Sequence, residues 1–256
     1  MAPLQPSADL PFIAGRERVT HCDRAVVHAH AWPQIGLPAE RALTVFVGDV
    51  LLVVPPGTAV WMPAELPHRA TCLKEMDVRI VAVNPRRAPQ ALRFPCVLDT
   101  SAFYRELLCH MGAVDIEDRS GAYADRLLDV LVAQTRAAPA GALSLKMPQD
   151  RRLRTIATAL LEDVLDERTL ADWAQIVGAS YRTLARHFVQ ETRLTYHEWR
   201  QALLAVEAIR RLGQGDSVGA VAADLGYASI AGFSAMFKRT TGRAPSSYRR
   251  CVAREG

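Results

Sequence analysis

Two stretches of one design restrict this chain more than any other feature: residues 169–188, "TLADWAQIVGASYRTLARHF", and residues 217–237, "SVGAVAADLGYASIAGFSAMF". Each opens on a hydroxyl suited to capping a helix (Thr169, Ser217), runs through an apolar helical pattern and breaks at a glycine (Gly178, Gly226). Each restarts at a serine (Ser180, Ser229) and continues with paired core residues, Leu184 and Phe188 in one, Phe233 and Phe237 in the other. The second stretch is one residue longer at its turn. Glycine permits the left-handed backbone of a tight turn, and Ala174 or Ala222 keeps the leading helix slim enough for the trailing helix to cross it closely. A helix-turn-helix used twice, over 169–191 and 217–241, meets all of these needs. A plain helical hairpin shares part of the pattern but not the repeat.

Charge is divided unevenly along the chain. Residues 1–150 carry 15 basic and 16 acidic side chains, whereas residues 151–256 carry 16 and 11. A basic excess on the half that holds the repeat points to a polyanion as its partner. At 100° per residue, Leu184 and Phe188 define the buried side of the first trailing helix, so Arg182 and Arg186 project away from it one turn apart. A guanidinium can present two donors to one guanine edge in the major groove, and packing alone does not call for two such side chains there. The corresponding outward positions of the second trailing helix are Ala231, Ser234 and Ala235, with Lys238 and Arg239 near its end. Those residues suit phosphates or thymine methyls and discriminate weakly. Between the repeats, "YHEWRQALLAVEAIRRL" is one unbroken helical pattern, about 25 Å long at 1.5 Å per residue. That length suits helices entering successive major-groove openings, which lie about 34 Å apart on one DNA face.

Residues 150–250 resemble the AraC-type transcriptional regulators. The resemblance is carried by "TLADWAQIVGASYRTLARHFVQET" and "SVGAVAADLGYASIAGFSAMFKRTTGRAPSSYR". The latter ends in a run similar to the family's F-(K/R)-x-x-x-G-x-x-P-x-x-Y signature, through Phe237, Lys238, Gly242, Pro245 and Tyr248. It implies base reading from Arg182, Ala185 and Arg186, with Ser180 and Tyr181 at the start of the same helix. It also implies double-stranded operator DNA as partner, with RNA polymerase a further one. Two positions depart from the pattern: Arg193 stands where glycine is usual, and Leu204 where an arginine is usual in the linking helix.

The first half reads differently. From Arg24 to about Pro85 short β-branched or apolar runs, "RAVVHAH", "ALTVFV", "DVLLVV", "TAVWM" and "DVRIVAV", are punctuated by Pro and Gly, which predicts a small antiparallel barrel or sandwich. From Thr100 the period becomes helical, in "SAFYRELLCHM" and "YADRLLDVLVAQTR". The second of these lines up Tyr123, Leu127, Leu128, Leu131 and Val132, a stripe suited to packing on its own barrel or on a partner subunit; a homodimer is the expectation. "AAPAGALSLKMPQD", rich in Ala, Gly and Pro, marks the boundary. The expected plan is α+β with two domains: a barrel over 1–98, connecting or dimerising helices and linker over 99–149, and an all-α double helix-turn-helix domain over 150–256.

This half resembles a cupin barrel, as in many AraC-type sensors. His28, His30 and Gln34 fit the cupin H-x-H-x(3,4)-E segment with an amide in place of the acid, and Pro63 and His68 fit P-x-G-x-x-H with Glu65 in place of glycine. Strand alternation would put His28 and His30 on one face, where both could share a metal with His68. Three readings stay open: a small-molecule effector site lined by His28, His30, Gln34 and His68; a divalent metal on the same four residues, weakened by the missing carboxylate; and ordinary packed histidines. Trp32 and Trp61 could wall a pocket, although Trp in a small barrel is more often core.

The five cysteines are scattered without a C-x-x-C pair, which predicts reduced, mostly buried thiols. No run approaches a membrane span and the start lacks a basic-then-apolar leader, so a cytoplasmic protein is expected. Together these features predict a sequence-specific DNA-binding transcription regulator controlled by an effector, without catalysis. The alternative is a metal-dependent cupin enzyme carrying an appended helical domain, which would ordinarily keep a carboxylate at position 34.

Overall fold

The computed structural model describes residues 10–19, 26–39, 42–55, 57–72, 75–114, 120–137 and 144–249. Cys22 and Cys251 lie outside them; Cys72 is a buried thiol that donates to the Val19 carbonyl at 3.3 Å, and Cys96 and Cys109 are half-buried. The chain divides into two units, residues 1–48 with 52–138 and residues 49–51 with 139–256.

The first unit contains β1 (Phe12–Val19), β2 (Gln34–Pro38), β3 (Leu43–Val47), all but the first two residues of β4 (Val50–Val54), β5 (Ala59–Met62), β6 (His68–Thr71), β7 (Met76–Val83) and β8 (Cys96–Asp99), then α1 (Ala102–Ala113), α2 (Ala122–Gln134) and β9 (Arg136–Ala137). One sheet has the order β1-β7-β2-β5-β8-β9, and β4-β3-β6 lie side by side in the other. Among the described strands these are two antiparallel sheets, as the strand runs predicted in their barrel-or-sandwich reading, and they do not close into the cupin-like barrel. β1 pairs with β7 along its whole length, from Phe12 opposite Val83 to Val19 opposite Met76.

One face of the larger sheet is covered by the two helices. Ile35, Leu37, Trp61, Val81, Val83 and Leu98 share a core with Tyr104, Leu108 and Met111 of α1 and Ala124, Leu128 and Leu131 of α2. Leu127 and Val132 pack at its edge, while Tyr123 stays exposed and its hydroxyl meets His110 Nε2 at 2.6 Å. The α2 stripe is therefore used on its own sheet, the first of the two partners its spacing allowed. Within the stretch 99–149, read as connecting or dimerising helices and linker, α1 and α2 share the sheet's core. Trp61 is fully buried and its indole N–H donates to the Leu92 carbonyl, so it is core and not a pocket wall.

In the second unit, β10 (Ser144–Lys146) precedes α3 (Arg151–Glu162), α4 (Leu170–Ile176), α5 (Tyr181–Thr192), α6 (Tyr196–Gly213), α7 (Val218–Asp224), α8 (Ile230–Thr241) and α9 (Ser246–Arg249). Thr169, Ser180, Ser217 and Ser229 each cap a helix, their hydroxyls accepting the backbone N–H three residues on. Gly178 and Gly226 take φ of +64° and +78°. In both repeats the turn closes with a matching hydrogen bond, Ala179 N–H to Ala174 C=O and Tyr227 N–H to Ala222 C=O. The repeat seen in the sequence is thus a repeat of backbone geometry. Among the described residues no helix is long and apolar enough to cross a membrane.

Candidate functional site

The opposite side of the larger sheet borders a cleft of about 410 Å3, its mouth included, within the first unit. Its lining follows the period of the strands. Glu17 and Val19 come from β1, Gln34 and Gly36 from β2, Leu43 and Val45 from β3, Val60 and Met62 from β5, His68 and Ala70 from β6, Val78 and Ile80 from β7, and His28 with His30 from the segment before β2. Each pair is two residues apart, so one face of each of these strands turns inward. Both sheets contribute. The walls are aliphatic, and the polar groups are three imidazoles, one amide and one carboxylate.

His28 and His30 are not carried by a regular strand. They lie on an extended segment joined to β6 by one antiparallel bridge, in which His28 N–H donates to His68 C=O at 2.9 Å and His68 N–H to His28 C=O at 2.8 Å. Glu65 N–H donates to His30 C=O at 2.8 Å and holds the other end. Glu65 itself takes φ of +58°, which explains why glycine is the usual residue at that place in the motif. The ring centroids stand 4.8 Å apart for His28 and His30, 4.5 Å for His28 and His68, and 5.1 Å for His30 and His68. Nδ1 of His28 lies 3.0 Å from Val26 C=O, and Nδ1 of His68 lies 2.9 Å from Leu66 C=O. A carbonyl only accepts, so Nδ1 carries the proton in both rings and Nε2 keeps its lone pair. Burial, reinforced by the neighbouring His28 and His68, pushes His30 down to about 4, and burial also lowers His68.

Sequence reasoning missed Glu17. Its Oε1 lies 3.8 Å from His28 Nε2, which returns a carboxylate to a cluster that has Gln34 at the expected acidic position. The signal was present in "GRERV": Arg16 and Arg18 are exposed while Glu17 and Val19 turn inward, a two-residue alternation.

The second unit presents the other site. Leu184 and Phe188 of α5 are buried, Phe188 lying edge-to-face on Tyr196 and Trp199, while Tyr181, Arg182 and Arg186 are exposed and Ala185 is half-exposed. Ser180 is spent on the cap. Other arginines of this unit are engaged: Arg152 with Asp150, Arg168 with Asp166, Arg210 with Glu207, and Arg211 with Asp216 and Asp224. Among the described residues Arg182 and Arg186 make no ion pair or hydrogen bond. α5 is held from behind, since the backbone N–H groups of Gln149 and Asp150 donate to Glu191. On α8, Ala231, Ala235 and Lys238 are exposed, Ser234 is half-exposed, and Arg239 reaches Gln201 of α6 at 3.1 Å. Arg239 is thus partly committed inside the unit. The signature residues are structural: Gly242 ends α8 at φ of +72°, and Tyr248 packs edge-to-face on Phe237 at 5.3 Å.

A capped, twice-used helix-turn-helix with unpaired guanidiniums on its outer face, joined in one chain to a β-rich unit, defines a DNA-binding transcription regulator. This chain belongs to the AraC-type helix-turn-helix regulators. Residues 173–251 match the family model described as a helix-turn-helix domain. Over 238 residues the chain is 31% identical to the HTH-type transcriptional regulator NimR of Escherichia coli K12, covering 92% of this chain and 84% of that protein. It is 33% identical over 102 residues to the HTH-type transcriptional regulator RipA of Corynebacterium glutamicum, covering 40% of this chain and 31% of that one. The structure of ToxT from Vibrio cholerae aligns over 95% of this chain and 99% of its own, at 12% identity and a TM-score of 0.40.

Proposed function

We propose that α5 reads operator bases through Arg182, Ala185 and Arg186, with Tyr181 beside them, and that α8 contributes backbone contacts and contact with thymine methyls. The observation that carries this is that Arg182 and Arg186 stand without an ion pair on the outward face of a braced helix, whereas Arg152, Arg168 and Arg211 of the same unit are ion-paired. A rigid helix presenting two forked donors loses little entropy on meeting guanine.

The cleft of the first unit is the input. Neutral imidazoles both donate and accept near pH 7, and aliphatic walls reject bulk water, so the cleft suits a small polar or anionic effector with an apolar body. Recognition, not turnover, is its task, and the protein acts in the cytoplasm where its operator lies. RNA polymerase would follow as a partner at the promoter. A homodimer would have to form through a face other than the α2 stripe, which is filled.

Alanine at His68 should abolish the effector response in a reporter assay while operator affinity of the effector-free protein stays within about 1 kcal/mol, because the reading helices belong to another unit. Loss of DNA binding by a folded His68→Ala protein would refute the separation of input and output.

A further inference from the structure

We propose that the cleft of the first unit takes a small primary amine as its ammonium ion, bound by Nε2 of His28, Nε2 of His68 and the Glu17 carboxylate, with its hydrocarbon body on the floor around Gly36. This occupant rests on the reading of the cleft as the regulator's input and narrows it, from polar or anionic effectors to those that bring hydrogen-bond donors and a positive charge. Acceptors are in surplus at the polar end. Nδ1 of His28 and of His68 is held as a donor by Val26 C=O and Leu66 C=O, so each ring turns an Nε2 lone pair away from its own backbone. Both rings line the cleft, and so does Glu17, whose carboxylate also only accepts. Glu17 Oε1 stands 3.8 Å from His28 Nε2, two acceptors side by side that cannot bond each other. An ammonium group is their complement, with three N–H donors and no acceptor.

The spacing fits as well. Acceptors that each sit about 2.9 Å from one tetrahedral nitrogen stand about 4.7 Å apart. One ring nitrogen from each of His28, His30 and His68 can be chosen so that all lie within 4.8 Å of one another. One ammonium nitrogen therefore reaches the cluster with the backbone bridge between His28 and His68 left as it is. The His28 and Glu17 side chains are 33% and 43% exposed, so the ion keeps water on its outer side and its desolvation cost stays small. A ligand carboxylate would meet two lone pairs and a like charge in the same place. The floor takes the apolar body. Gly36 pairs with Val60 on one side and Ile80 on the other, and a Cβ there would come within 3.2 Å of Val60 Cγ1 and 3.5 Å of Ile80 Cδ1. Val78, opposite Glu17 on β1, borders the same spot, its Cγ1 3.5 Å from that Cβ position. Glycine inside a strand weakens it and marks a place where a ligand approaches the backbone closely. The missing side chain leaves a shallow aliphatic trough beside the acceptors, room for a short chain or one ring.

Benzylamine, its neutral counterpart benzyl alcohol and the anion phenylacetate are titrated by calorimetry into the untagged full-length chain, in EDTA near pH 7, alongside Glu17→Gln, His68→Ala and Gly36→Ala, each checked for folding by circular dichroism. The wild-type chain should bind one benzylamine at about 1 mM or tighter, and the alcohol and phenylacetate about 10-fold more weakly or worse. Glu17→Gln should weaken the amine about 10- to 100-fold and erase most of its advantage over the alcohol, and His68→Ala should weaken it about 3- to 10-fold. Gly36→Ala, which fills the trough, should weaken it several-fold while keeping the preference over phenylacetate. Failure of benzylamine to saturate by about 10 mM, phenylacetate binding as tightly, or unchanged amine affinity in Glu17→Gln would overturn the ammonium site. The input reading is tested apart from this, by the reporter response of His68→Ala. A response lost while phenylacetate is preferred would uphold the input and overturn the ammonium; a response kept while benzylamine binds would uphold the ammonium site and refute the input.

Discussion

Two residues depart from the glycine that the family patterns expect, Glu65 and Arg193, and these are the non-glycine residues with positive φ among those described, at +58° and +64°. Left-handed backbone costs a residue with a Cβ about 1 kcal/mol or more, partly offset by the extra freedom glycine has when unfolded. Glu65→Gly and Arg193→Gly should each raise stability by about 0.5–1 kcal/mol, additively because the sites are in different units. Chemical denaturation would measure it; a loss in either variant would mean the side chain contributes more than its strain. His30 carries a second prediction. Its folded pKa of about 4 lies below the 6.5 of an ordinary histidine, so between those values the unfolded chain binds the extra proton. Stability of the metal-free first unit should therefore fall as the pH drops from 6.5 toward 4, with His68 adding in the same direction and Glu17 and His28 facing both. Thermal melts in EDTA test this, and His30→Gln should flatten the pH dependence. A flat wild-type curve would contradict the buried neutral ring.

At the scale of elements, what could be read from sequence followed from how local the information was. Caps, glycine turns and helical period act within a few residues, so the two helix-turn-helix units and the extra residue in the second turn were legible. Strand pairing is not local. Glu17 enters the cleft only because β1 pairs with β7, opposite Val78 some sixty positions on, and β1, β2 and β8 were not among the runs read as strands. The histidine segment was taken for a full strand because it alternates, yet it keeps a single bridge. The α2 stripe was ambiguous in sequence, since period alone cannot say which apolar surface a helix meets. Its packing yields a test: Leu128 is fully buried, so Leu128→Ala should cost about 2–5 kcal/mol at any protein concentration. A loss that depended on concentration would put α2 at a subunit interface instead.

At the scale of the whole molecule, the proposed labour is divided between an input cleft and a reading unit, and within the latter between α5 and α8. α6, 18 residues long and capped by Thr195 with Glu198 answering, links the two trailing helices over about 27 Å. On the proposed reading, the lopsided surfaces of α5 and α8 would have one half-site read closely and the other loosely. The most direct measurement is selection of binding sites from a random DNA pool, in matched salt, by the wild-type chain, Arg182→Ala, Arg186→Ala, Ala231→Ser and Lys238→Ala. Each arginine variant should lose base preference at one or two adjacent positions and about 1–3 kcal/mol on the wild-type site. Ala231→Ser should keep the wild-type site, and Lys238→Ala should weaken all sequences alike while lowering the salt slope by about 1. An unchanged consensus in both arginine variants, or equal losses of preference under α5 and α8, would contradict the account.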